Sequence, residues 1–258
     1  MILSCSTITW GELKDGKQFG DALASIKALG YSDAGIEYPL LSASLKRSVA
    51  RSGAALARKA GLTVAAVAID SSPEMASVVT SFGSKVGWLC LFEKDIDLAI
   101  EKTRELSGAC ARVGVSVSLH PHVRSNILTT EDLDRIIKAC GPDRTSVCVD
   151  TAHLTALDID IPRFINRYKR SISLVHFKDL RARVPQEKVD YVKDFVDLGD
   201  GVADLRGSLK ALRDIGYSGA IMVEVDNPPE GGVEASARKN YGYLKTIVGG
   251  PRARAVPA

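Results

Sequence analysis

The sequence has no paired CxxC spacing, no long apolar run and little surplus charge, and each absence removes a class of protein. Its five cysteines, Cys5, Cys90, Cys110, Cys140 and Cys148, stand far apart inside apolar or helical stretches. That spacing excludes a zinc-ribbon or thioredoxin-type motif and reads as buried thiols in a reducing compartment. No apolar stretch approaches the roughly 18 residues of a membrane span, and Met1-Ile2-Leu3-Ser4-Cys5 enters an apolar segment with no basic region before it. A cytoplasmic protein with no membrane partner is the expectation. The formal net charge is only +3, and the basic residues are scattered apart from Arg252 and Arg254, so no nucleic-acid partner is expected.

What is present is an ordinary globular composition, 45% hydrophobic and 25% charged, over 258 residues. That is the usual size of one (β/α)₈ barrel and is long enough to bury a core without disulfides. Short β-rich apolar runs alternate with longer amphipathic stretches from end to end, the pattern of repeated βα units around a parallel sheet. Strands are expected over Ile2–Thr9, Asp33–Tyr38, Thr63–Ile69, Val86–Phe92, Val115–His120, Ser146–Asp150, Ser171–Phe177 and Ala220–Val225. Helical patterns fall near Phe19–Leu29, Leu45–Ala60, Met75–Phe82, Ile96–Val113, Thr130–Ala139, Pro162–Tyr168, Asp204–Ile215 and Glu234–Val248. Several of these end on a glycine just before the next strand, as in Leu29-Gly30-Tyr31, and Thr129-Thr130-Glu131-Asp132 resembles a helix start. The fourth unit is the weakest, because Ser71–Gly87 has few strong helix formers. Residues 1–248 thus read as a single α/β domain, a (β/α)₈ TIM barrel of parallel strands, and 249–258 as a flexible C-terminal tail. The long charged connection from Leu180 to Asp200 is expected to act as a lid or binding loop.

The chain has only four histidines, His120, His122, His153 and His176, and all lie at or just after the expected C-terminal end of a strand. In a (β/α)₈ barrel those ends form one rim, where active sites are built. Three acids share the placement: Glu37 near the end of strand two, Asp150 ending strand six and Glu224 on strand eight. An unpaired carboxylate there costs several kcal/mol to desolvate, and a cation offsets that cost. Imidazole and carboxylate together suit Mn²⁺, Co²⁺, Fe²⁺ or Zn²⁺ better than Ca²⁺.

The segments that carry these residues are Ser118-Leu119-His120-Pro121-His122, Val149-Asp150-Thr151-Ala152-His153, Val175-His176-Phe177-Lys178-Asp179, Leu198-Gly199-Asp200-Gly201 and Val223-Glu224-Val225-Asp226. Together they resemble the xylose-isomerase-like barrels, a family of sugar epimerases, sugar isomerases and inosose dehydratases with the endonuclease IV type of repair enzyme as a more distant member. The resemblance spans nearly the whole chain and is sharpest from Val115 to Asp226. It implies one divalent metal, Mn²⁺ first, held by Asp150, His176 and Glu224, with His120 where an acid usually stands on strand five. That departure weakens a two-carboxylate epimerisation. Histidines at that position, Lys-Asp after strand seven and Gly-Asp-Gly before helix seven are similar to the inosose dehydratases. The endonuclease reading lacks a larger ligand set and a basic groove.

The resemblance therefore implies a metal-dependent isomerase or lyase (dehydratase) acting on a small keto-sugar, inositol or related polyol through a metal-stabilised enediolate. Glu224 or His122 is expected to take the α-proton, and Lys178 or His153 to give a proton to the departing or shifting oxygen. Glu37 is expected to bind substrate hydroxyls, and Trp10 to wall a sugar face. The bland readings are packing for Trp10 and Trp88, a core ion pair for Glu37, an exposed turn pair for Lys178 and Asp179, and a turn former for Asp200. The alternatives are a sugar epimerase of the same family and a non-catalytic accessory barrel in a complex. A homo-oligomer or a partner subunit fits either.

Overall fold

The computed structural model describes residues 1–93, 95–228 and 232–249. The expected tail, Gly249 apart, lies outside the described residues. Seven parallel strands run in chain order around a barrel: β1 (Ile2–Ser6), β2 (Asp33–Ile36), β3 (Thr63–Ile69), β4 (Val86–Leu89), β5 (Ser116–Leu119), β6 (Thr145–Asp150) and β7 (Ile172–Phe177). A short antiparallel pair, β8 (Asp179–Leu180) and β9 (Phe195–Val196), interrupts the series. The eighth barrel strand, β10 (Ala220–Val223), then pairs with both β7 and β1 and closes the sheet. Around it lie α1 (Gly16–Leu29), α2 (Ala43–Val49), α3 (Gly53–Lys59), α4 (Met75–Ser81), α5 (Ile96–Arg112), α6 (Thr130–Cys140), α7 (Thr151–Ala156), α8 (Ile161–Arg167), α9 (Leu205–Asp214) and α10 (Val233–Val248). Among the described residues, no helix is long and apolar enough to cross a membrane.

Local chemistry explains most boundaries. Thr129 and Asp132 form the reciprocal cap anticipated at the start of α6. Phe19, Leu23 and Ile26 recur on one side of α1 and are buried against the sheet. The strand expected over Ile2–Thr9 stops at Ser6, whose hydroxyl accepts from the Ile8 N–H and turns Thr7–Trp10 into a 3₁₀ turn. The helix expected over Leu45–Ala60 is two helices. Ser52 Oγ donates to the Ser48 carbonyl at 2.9 Å, the kind of side-chain bond that competes with a continuing helix.

Two cores result from the pleat of the sheet. Outward side chains pack on the helices, and inward ones fill the barrel with Ala66, Ala68, Trp88, Cys148, Leu174 and Met222. Gly35 belongs to this inner layer because a Cβ there would meet Met222 Sδ at 2.2 Å. The β6–β7 register slips between Val147 and Cys148, so that Ser173 is skipped and Asp150 stands opposite His176. That slip positions the site.

Candidate metal centre and its cavity

The inward rows that fill the barrel lead directly to the site. Two residues beyond Cys148, Leu174 and Met222 come Asp150, His176 and Glu224, and two beyond Ser118 comes His120. All four are almost fully buried, at 0%, 0%, 4% and 2% exposure respectively. His120 Nε2 lies 3.2 Å from both Asp150 Oδ2 and His176 Nδ1, and His176 Nδ1 lies 3.1 Å from Glu224 Oε2. One donor atom from each residue fits within 4.8 Å of every other. The four expected ligands are therefore brought together on four different strand ends.

Electrostatics favours a cation here. Burial opposes ionisation of Asp150, but His153, His120 and His176 outweigh it and hold the carboxyl well below its usual range. Burial likewise opposes Glu224, and His176 and Lys178 pull it down to about 2. Glu37 moves the other way: burial and then the charges of Glu224 and Asp226 push it well above a normal glutamate. Its Oε2 is buried without a hydrogen-bond partner among the described residues. Lys178 is the one cationic side chain among the described cavity-lining residues, shared between Asp226 at 2.7 Å and Glu224 at 3.8 Å. Burial disfavours its ammonium, but Asp226, Glu224 and Asp150 keep it charged. Two imidazoles and two carboxylates in such a pocket suit a divalent transition metal.

A cavity of about 240 Å³ opens over these groups, lined by Glu37, Trp88, Cys90, Lys178 and Tyr191 together with His120, His122 and His153. The rings of His122 and His153 lie against each other there, tilted by 34° with centroids 3.8 Å apart. The backbone of Val123 sorts their nitrogens. His122 Nδ1–H donates to the Val123 carbonyl at 2.6 Å, leaving Nε2 as a lone pair. The Val123 N–H donates to His153 Nδ1 at 3.5 Å, so the His153 proton sits on Nε2, a buried atom without a hydrogen-bond partner among the described residues. Burial is the main reason both rings stay neutral, with His122 lowered to about 3 and His153 well below its ordinary value.

The long connection behaves as a cover. Tyr191 lies over the ring of His122 and donates to the Val123 carbonyl at 3.1 Å, while Arg124 sits 4.8 Å from the Tyr191 ring. Lys178 and Asp179 are not an exposed turn pair, being 2% and 1% exposed. The Asp179 carboxylate accepts from the N–H groups of Leu180, Gly199, Gly201 and Ala203 and so fixes the Gly-Asp-Gly turn. A Cβ on Gly201 would meet Asp179 Oδ1 at 2.4 Å. Asp200 points outward to Lys239.

Trp10 does not line the cavity. The 3₁₀ turn carries it off the end of β1 to pack on the helical core, and Ile8 and Trp88 stand at the cavity instead. Cys90, Asp226 and Tyr191 also line it without having been singled out in the sequence. Cys90 had a usable signal: it continues the inward row of Trp88, as His120 continues that of Ser118.

Comparison with known proteins agrees with this architecture. Residues 33–247 match the model of the family described as xylose isomerase-like TIM barrel. An inosose dehydratase of Geobacillus thermodenitrificans is 32% identical over 146 residues, covering 53% of this chain and 49% of the relative. The chain thus spans about half the length of the curated relatives it matches. Among solved structures, the IolI protein with a bound zinc atom superposes with a TM-score of 0.75 at 19% identity, over 96% of this chain and 98% of that one. An L-ribulose 3-epimerase superposes with a TM-score of 0.78 at 15% identity over 99% of both chains. At such identities the superpositions speak for the fold, and the family match, which runs from β2 to the end of α10, carries the assignment: the chain belongs to the xylose isomerase-like TIM barrel family.

Proposed function

We propose that the chain is a metal-dependent dehydratase or isomerase of a small keto-polyol, a sugar or inositol derivative. The observation that carries the reading is the meeting of His120, Asp150, His176 and Glu224 donor atoms within 4.8 Å beside two neutral histidines held in opposite tautomers. These four residues would hold one divalent ion, Mn²⁺ first, with Co²⁺, Fe²⁺ and Zn²⁺ as alternatives. When bound, such an ion polarises a substrate carbonyl and offsets the negative charge that develops on its oxygen.

The chain's own groups divide the proton transfers. His122 Nε2 takes the proton next to the carbonyl, its lone pair being the free one. The electron pair left behind forms the enediolate of the substrate. In dehydration the hydroxyl on the next carbon departs as water, with its proton from Lys178 Nζ or His153 Nε2; in isomerisation a proton returns to carbon instead. Glu37, kept protonated by burial and its acidic neighbours, donates to a substrate hydroxyl. Tyr191 and the connection that carries it limit access of water. The similarity to inosose dehydratases favours water loss, and His120 in place of a second base carboxylate disfavours a symmetrical two-base epimerisation. The buried free thiols fit a cytoplasmic setting, and a homo-oligomer suits an enzyme of this kind.

The test is to incubate the protein loaded with Mn²⁺, Co²⁺ or Zn²⁺ with a panel of keto-inositols and ketoses in D₂O and follow ¹H NMR. Exchange of the α-proton, with or without water loss, is expected and identifies the common step. Neither exchange nor product with any metal would sink the proposal.

A further inference from the structure

The geometry points to Cys90 as the positioning residue of the metal centre, its thiol holding Nδ1 of His120 and so setting which nitrogen His120 offers to the ion. This rests on the reading of the four-residue cluster as a metal site. Cys90 Sγ lies 3.5 Å from His120 Nδ1. The same ring puts Nε2 in the donor cluster, 3.2 Å from Asp150 Oδ2 and 3.2 Å from His176 Nδ1. An imidazole that offers its Nε2 lone pair must carry its proton on Nδ1 and needs an acceptor there. Among the described residues, Cys90 Sγ is the hydrogen-bonding atom placed against Nδ1.

A thiol differs from the usual partners of a ligating histidine. A carboxylate or carbonyl only accepts, whereas S–H is a weak donor as well as a weak acceptor. When His120 Nε2–H donates to Asp150, Nδ1 is an acceptor, and the thiol turns its proton toward it. When Nε2 is given to a cation, Nδ1–H points at sulfur. Cys90 therefore serves both tautomers without moving. It also adds no charge to a pocket that Glu37 and Glu224 already line. Its place in the fold sets it apart from the other cysteines: Cys5, Cys110, Cys140 and Cys148 are buried, while Cys90 is partly exposed and lines the cavity.

The experiment compares wild type with Cys90→Ala, Cys90→Val and Cys90→Ser, all stripped of metal. Dissociation constants for Co²⁺ are read by competition with a chromophoric chelator, and folding of the stripped proteins by circular dichroism and thermal melting. Cys90→Ala and Cys90→Val are expected to weaken Co²⁺ binding by about tenfold or more, the loss typical of a missing partner to a ligating histidine. Cys90→Ser, whose hydroxyl also donates and accepts, is expected to stay within about threefold of wild type. The valine variant nearly conserves volume and covers the case in which alanine misfolds. Folded alanine or valine variants that bind like wild type, or a serine variant as weak as they are, overturn the inference. A wild type that takes up no Co²⁺ overturns the metal reading itself, a result distinct from equal binding by all four proteins.

Discussion

The rings of His122 and His153 lie tilted against each other with centroids 3.8 Å apart, and a single residue, Val123, accepts a hydrogen bond from one ring through its carbonyl and donates one to the other through its N–H. The pair offers a lone pair on one Nε2 and a proton on the other, at the same cavity. This division needs both rings neutral, and burial, then His120 and Lys178, lower His122 to about 3 against the weaker pull of its Val123 bond.

The stability consequence has a definite sign. A histidine with a folded-state value below its unfolded value near 6.5 is fully stabilising above pH 6.5, and the contribution drains away as pH falls toward 3. At pH 5 the His122 share of that loss is about 2 kcal/mol. Urea unfolding at pH 7 and pH 5 should show the wild type losing more stability than His122→Gln by roughly that amount. Equal losses would place an unburied, chargeable imidazole at position 122.

Supplying the metal should stabilise the fold. At a free concentration about a hundredfold above the dissociation constant, linkage gives roughly 2.7 kcal/mol, or about 5–10 °C in Tm for a chain of this size. Melting with Mn²⁺ or Co²⁺ against a chelator measures it. The shift should vanish in Asp150→Asn and His176→Gln, since the first removes the carboxylate charge and the second an imidazole nitrogen from the cluster. A shift that survives both substitutions would move the ion elsewhere.

The sequence made the barrel legible because the period-two and helical patterns agree with turn chemistry in nearly every unit. The clustering of His120, Asp150, His176 and Glu224 was legible for the same reason, since an acid or imidazole at the end of an inward row has one place to go. Trp10 was misplaced because the cap from Ser6 to the Ile8 N–H, which ends β1 early, depends on one hydroxyl rather than on periodicity. Tyr191 was hidden in a connection without a repeating pattern, and its contact with His122 bridges 69 residues of chain. Lys178 and Asp179 read equally well as a solvated turn; only tertiary packing buries them, one toward Asp226 and the other under the Gly-Asp-Gly turn.

Lys178 should separate catalysis from stability. In Lys178→Met, Asp226 and Glu224 lose the ammonium that faces them, and breaking a buried pair from one side typically costs about 3–5 kcal/mol. Turnover should fall by about 10²–10⁴ if Lys178 supplies the proton. Adding Asp226→Asn removes the stranded charge and should restore much of the melting temperature. Activity should stay low. Recovery of both in the double variant would demote Lys178 to a structural counter-ion.

The last prediction concerns the floor of the site. Gly35 lets Met222 lie across the barrel, and a Cβ at position 35 would sit 2.2 Å from the Met222 sulfur. Gly35→Ala should therefore destabilise by about 1–3 kcal/mol, the usual cost of overpacking a filled core. Glu37 and Glu224 each lie two residues beyond this contact along β2 and β10, so the shift should also weaken the metal centre. Trimming the opposing side chain with Met222→Ala in the same protein should relieve the clash, giving a double variant more stable than the sum of the two single losses. Urea unfolding of the three variants measures that coupling, and strict additivity would show that the two side chains do not compete for the same space.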